Sequence, residues 1–183
     1  GIELTELGAV AVDVGPGLYT GLRVGIVAGI SMAYALGIPV IGVSSLDLLA
    51  FPARWTSRLI VSALDARRGE LFVAMFRKVP GGIQRVVDPR VCSPADLASE
   101  LEVTEERSLL VGDGALRYQE VFGGIRGVEL AEQGLANPSA RALVQLAHAR
   151  AMREEFVRPW ELEPVYLRRP DAEINWTTRE GGA

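Results

Sequence analysis

Gly15-Pro16-Gly17-Leu18-Tyr19-Thr20-Gly21-Leu22-Arg23-Val24-Gly25 is the stretch that decides the fold of this chain. It is a glycine-rich turn running straight into a helix, and no charged residue occurs from Val24 to Leu46. The backbone must turn tightly after a strand, and a helix this apolar is expected to be buried on more than one side. Such a helix lies in a core, in a membrane or against a partner protein. Gly37-Ile38-Pro39 argues against a membrane span. Glycine after Leu36 ends a helix, and proline two positions later prevents its continuation. The remaining Val40-Ile41-Gly42-Val43 is short and β-branched, as a buried strand is.

Working outward, Ala9–Val14 is a continuous apolar run, the pattern of a parallel strand covered on both faces. With the helix Thr20–Leu36 and the strand Pro39–Val43 it forms a βαβ unit. Ser44 and Asp47 read as a capping box opening a short helix toward Phe51. After Pro52 the grammar changes. Leu59–Leu64, Glu70–Phe76 and Ile83–Val91 are three strands joined by Arg67-Arg68-Gly69 and Pro80-Gly81-Gly82, an antiparallel meander. Ser93-Pro94-Ala95-Asp96 is a helix start with serine as cap and proline at the first turn. Leu109–Val111 is a further strand, ending at Gly112-Asp113-Gly114. Asn137-Pro138 caps a last helix to about Glu154, with Ala140, Leu143, Val144, Ala147 and Ala151 as its apolar stripe.

The 183 residues allow one large domain or two lobes. A composition 49% hydrophobic and 23% charged is that of a soluble globular protein. The net charge of −4 argues against a surface given over to nucleic acid, while leaving room for a local basic patch. The single cysteine, Cys92, excludes an intrachain disulfide and a cysteine-based zinc site, and fits a reducing compartment. Cys92 itself is expected to be a small buried residue. Residues 1–8 carry two glutamates and no basic segment, so they do not read as a secretory signal. The second part runs three strands, helix, strand, helix, and the first part shows only the tail of that order. If the protein is an internal duplication, three strands and a helix are missing before Gly1.

At this point the residues resemble a known family. The Gly15–Gly25 run is similar to the Gly-Pro-Gly-Ser-Phe-Thr-Gly-Leu-Arg-Ile-Gly segment of the TsaB (YeaZ-type) proteins of bacterial tRNA threonylcarbamoyladenosine synthesis. Gly42-Val43-Ser44-Ser45-Leu46, Asp65–Leu71, Gly112–Ala115 and Pro164-Val165-Tyr166-Leu167-Arg168 follow in matching order. Leu18 and Tyr19 replace the usual Ser-Phe, and Asp13 stands where glycine is common. The resemblance implies an α/β fold of the actin/Hsp70/sugar-kinase type, built from duplicated βββαβα lobes. Residues 1–52 would be the remainder of an incomplete first lobe, and residues 53–183 the second lobe with its tail. It implies a cytoplasmic, non-catalytic scaffold that pairs with a metal-bearing TsaD-type paralogue for transfer to adenosine 37 of tRNA. A TsaE-type ATPase joins through the complex, tRNA is contacted indirectly, and the chain forms a homodimer when alone.

The candidate sites follow from residue chemistry. Where the paralogue carries a His-x-x-x-His metal pair, this chain has Ser45 and Leu49, and neither is such a ligand. The only histidine, His148, falls on the outward stripe of the last helix with Arg141, Gln145 and Met152. No catalytic residue and no metal ligand is therefore assigned. Gly15, Gly17, Thr20 and Gly21 are a candidate anion or nucleotide loop, and Arg67 and Arg68 are added to it because they sit on the turn where the resemblance implies a phosphate loop of related kinases. The alternatives are a tight strand-to-helix turn for the glycines and a solvated hairpin tip for the arginines. No cofactor is expected for the chain itself, with ATP or ADP confined to the assembled complex. The competing readings are an ATP-binding kinase-like or peptidase-like enzyme and a self-contained homodimer with no paralogue. On the first helix, Leu22, Gly25, Gly29, Met32, Ala33 and Leu36 should face the sheet. Arg23, Val27, Ile30, Ser31 and Tyr34 should face a partner, the alternative being that a missing N-terminal helix or a lobe of the same chain covers them. Arg168-Arg169-Pro170 reads as a packed segment leading to a frayed end rather than a basic arm.

Overall fold

The computed structural model of the chain describes residues 3–168. Two sheets organise them. Strand β1 (Val10–Asp13) pairs in parallel with β2 (Val40–Val43), Val10 opposite Val40 and Asp13 opposite Val43, and α1 (Tyr19–Leu36) is the crossover between them. The second sheet has the order β5-β4-β3-β6-β7. Its strands are β3 (Leu59–Arg67), β4 (Glu70–Val79), β5 (Gly82–Cys92), β6 (Ser108–Val111) and β7 (Val128–Leu130). The first three form the expected antiparallel meander, and β6 and β7 add to β3 in parallel. Helices α3 (Pro94–Thr104), α4 (Asp113–Arg117) and α5 (Gln119–Phe122) cover one face of this sheet.

The other face meets α2 (Ser45–Ala50), a six-residue helix with every residue buried. Leu46, Leu49 and Ala50 pack on Ile60, Phe72, Ala74 and Phe76 of the large sheet, while Leu48 turns to Ile41 and Val43 of the small one. A helix apolar all round is stable only when covered on all sides. Its polar groups are accounted for. Ser44 caps it by accepting from the Leu46 N–H, and the Ser62 hydroxyl donates to the Leu46 carbonyl at 2.9 Å. Asp47 does not complete the capping box expected of it. Its carboxylate takes Arg85 of β5 at 2.7 Å and Arg150 at 3.6 Å, and Arg150 also donates to the Gly42 carbonyl of β2.

Arg150 belongs to α6 (Ala140–Ala151), which packs Ala142 and Ala147 onto the small sheet. This helix differs from expectation in three ways. Its cap is Ser139, accepting from Ala142 N–H at 3.2 Å, and it ends at Ala151 rather than Glu154. Its buried stripe holds Ala142 and Leu146, while Val144 is 64% exposed. The reason is rotational: Leu143, Val144 and Leu146 spread around the helix, and the packing turns Leu143 and Leu146 inward and Val144 outward. The short elements α4, α5 and β7 escaped the sequence reading because none reaches the length at which periodicity shows. Ser93 does cap α3, accepting from Asp96 N–H at 3.0 Å.

Helix α1 is apolar enough and long enough to cross a membrane, yet its C-terminus feeds directly into β2 and one stripe packs on β1. Contrary to the expectation of burial on several sides, only Ile26 and Ala33 are fully buried. Gly25 and Met32 point to solvent, and Ile26 and Ile30 take the inner positions instead. Gly29 sets the close approach, since a β-carbon there would lie 2.5 Å from the Val12 Cγ2. The two glycines should therefore respond oppositely to alanine. Gly29→Ala should push α1 off β1 and cost about 1–3 kcal/mol. Gly25→Ala, with open space around it, should gain up to about 1 kcal/mol of helix propensity. Urea unfolding of both variants reads the difference in sign.

Candidate functional site: the exposed helix and the glycine turn

The inward stripe of α1 leaves a wide outward surface. Val24 is 66% exposed, Val27 61%, Met32 51% and Tyr34 71%. Ala28, Ser31 and Ala35 lie between them, also exposed. A solvated helix face is normally charged, and Arg23 is the sole charge on α1. Of the five residues expected to face a partner, Arg23, Val27, Ser31 and Tyr34 are exposed. Ile30 is half-buried against the fold, so the surface is rotated toward Val24 and Ala28. At the C-terminal end of α1 this surface opens into a groove of about 580 Å³, lined by Tyr34 together with Phe156, Val157 and Trp160. Trp160 is 65% exposed. Nothing in the sequence pairs Tyr34 with Trp160, and only the packing of the C-terminal segment brings them together.

At the other end of α1, Gly15, Gly17, Thr20 and Gly21 line the strand-to-helix turn, with a cis Gly15–Pro16 peptide. Thr20, Gly17 and Gly21 do face Arg67 and Arg68, across a cleft of about 630 Å³. Arg67 and Arg68 sit exposed on the β3–β4 hairpin with φ of 64° and 55°. Arg67 pairs with Asp65 at 3.3 Å, and Arg117 approaches the same carboxylate at 3.5 Å. Asp113 accepts from the Asp65 N–H, tying α4 to this hairpin. Gly112 allows that contact, since a β-carbon there would fall 2.2 Å from the Ala63 carbonyl oxygen.

Ser45 and Leu49 are both buried. Leu49 is core, and the Ser45 hydroxyl donates to Asp13 at 2.6 Å. Asp13 also accepts from the Gly15 N–H at 2.9 Å, and the Ser45 N–H donates to the Gly15 carbonyl. One carboxyl thus ties the β1 turn to the start of α2. Burial pushes the Asp13 carboxyl above its ordinary range, against the two hydrogen bonds that favour its charged form. His148 is exposed on α6, with Arg141, Gln145 and Met152. Cys92 is half-buried rather than buried, and burial raises its thiol. Arg168 is packed, donating to Glu70 at 2.9 Å; Arg169 and Pro170, with the expected frayed end, lie outside the described residues.

The raised Asp13 carboxyl fixes a sign. The folded chain holds this proton to higher pH than the unfolded chain, so stability falls as pH rises through that window and levels off above it. Asp13→Asn keeps an acceptor for Gly15 and Ser45 and removes the charge. Denaturation midpoints taken from about pH 4 to about pH 8 should lose that decline in the variant, which should be at least as stable as the parent at neutral pH.

The sequence matches the family described as TsaD, tRNA N6-adenosine threonylcarbamoyltransferase, over residues 1–176. The tRNA threonylcarbamoyladenosine biosynthesis protein TsaB of Escherichia coli is 31% identical over 174 residues, covering 92% of this chain and 74% of that protein. The Bacillus subtilis protein of the same name is 29% identical over 173 residues, covering 93% and 74%. The solved structure of YeaZ from Pseudomonas aeruginosa superposes with a TM-score of 0.78 at 28% identity, covering 91% of this chain and 76% of that one. With this α/β architecture and these relatives, the chain belongs to the TsaB (YeaZ-type) group of the threonylcarbamoyltransferase family.

Proposed function

We propose that this chain serves tRNA threonylcarbamoyladenosine biosynthesis as a non-catalytic subunit, pairing through the outward face of α1 with a metal-bearing TsaD-type paralogue. The observation that carries this reading is the apolar surface formed by Val24, Val27, Met32 and Tyr34, each at least half exposed. Contiguous exposed apolar surface beyond a few hundred Å² marks an interaction site. An aromatic groove at one end, lined by Tyr34 and Trp160, suits the anchor residues of such an interface. The absence of chemistry from the chain itself is supported by Ser45 and Leu49, both committed to the core at the positions where the paralogue holds its metal. The paralogue would perform the transfer to adenosine 37, and a TsaE-type ATPase would join the assembly in the cytoplasm. Nucleotide and tRNA would be engaged by that assembly. Without the paralogue, the same face would close on a second copy as a two-fold dimer.

Val24→Glu and Val27→Glu place a carboxylate on this face at exposed positions, so folding should be unaffected. Calorimetric titration with the paralogue should show each weakening the complex by about tenfold or more, or about 1.4 kcal/mol. Val144→Glu on α6, equally exposed, should bind like the parent. Equal affinity for all three variants would overturn the reading.

A further inference from the structure

The segment from Glu163 to Arg168 runs across the structure rather than along any sheet, and each residue from Val165 onward is fastened to a different element. Val165 N–H donates to the Val14 carbonyl at the end of β1, at 2.8 Å. The Tyr166 hydroxyl accepts from Arg23 Nε at 3.2 Å, and its ring lies 5.7 Å from the Tyr19 ring. The Arg23 guanidinium in turn stands 4.5 Å over Tyr19. Leu167 packs against the core of the large sheet, and Arg168 reaches Glu70 of β4. Residues 165–168 thereby form one wall of the 630 Å³ cleft whose other walls are the glycine turn and the Arg67-Arg68 hairpin.

We propose that residues 163–168 are a strap that holds one wall of this cleft in place, latched by Tyr166 on Arg23, and that docking of a partner on α1 releases it. The fastening at Tyr166 is of the kind that opens easily. Tyr166 is 43% exposed and its hydroxyl bond to Arg23 lies at the surface, whereas Leu167 in the core and the part-buried Arg168–Glu70 pair anchor the far end of the segment. Segments held by few buried apolar contacts open locally without global unfolding. The latch is also placed where a partner would meet it, because Tyr19 and Arg23 are exposed residues of α1 itself. A partner that takes the Arg23 guanidinium competes directly with the Tyr166 hydroxyl for the same Nε–H. Docking on one end of the helix would then open the cleft beside its start. This coupling rests on the partner reading given above, whereas the latch does not.

Hydrogen exchange on the full chain separates the two. Tyr166→Phe keeps the ring and removes the hydroxyl, so exchange of the Val165 amide, which is bonded to the Val14 carbonyl, should quicken about fivefold, the worth of one hydrogen bond. Amides of β1 and of the centre of α1 should be unchanged. Unaltered strap exchange in Tyr166→Phe and in Arg23→Ala would overturn the latch. The parent chain is then measured with the paralogue at a concentration where light scattering shows it fully bound. Faster strap exchange in that complex is expected, and slowed or unchanged exchange would overturn the coupling while leaving the partner reading intact. If scattering shows no complex, the partner reading fails and the coupling with it, and the variants still decide the latch.

Discussion

The Asp47 carboxylate is the point on which both sheets depend. It sits on a helix that has no solvent-facing side, and it is met by guanidinium groups from β5 and from α6. A buried carboxylate costs several kcal/mol of desolvation unless it is paired and hydrogen-bonded. Two arginines, each about one-third exposed, supply the pairing while keeping their own solvation. The result fixes α2 in rotation, sending Leu46 and Leu49 to the large sheet and Leu48 to the small one. A two-stranded sheet has little stability of its own. Here β1 and β2 persist because α2 and α6 cover one face and α1 the other.

That arrangement also explains why α1 is apolar beyond the needs of its own packing. Covering a sheet two strands wide takes one narrow stripe, and Leu22, Ile26, Gly29 and Ala33 supply it. Val24, Val27, Ala28, Met32 and Ala35 stay exposed in the described residues. Leaving them in water is unfavourable by roughly 25 cal/mol per Å² of apolar surface, so their burial elsewhere is the simplest physical account of the helix. Its two ends are distinct: an aromatic groove beside Tyr34, and an arginine held by two tyrosines beside the glycine turn.

Much of this was legible in the sequence. The charge-free run broken by Gly37 and Pro39 read correctly as helix, turn and strand, and Arg67-Arg68-Gly69 and Pro80-Gly81-Gly82 read correctly as the turns of a meander. The rotation of α1 was not legible, because a helix apolar on every side gives no contrast from which to find its inner face. Gly25 and Gly29 look equivalent in sequence, and only the position of Val12 separates them. The contacts that define the site were equally hidden. Asp47 meets Arg85, and Arg23 meets Tyr166, across 38 and 143 residues, and such pairs follow from the assembled sheets rather than from spacing.

The proposed docking of the paralogue on the outward face of α1 can be tested at a single position. A photo-crosslinking residue placed at Ala28, midway along that face, addresses it directly, with Val86 on the outer strand β5 as comparison. The account predicts a covalent adduct with the TsaD-type paralogue from position 28 and none from position 86. Adduct formation from position 86 alone would contradict it.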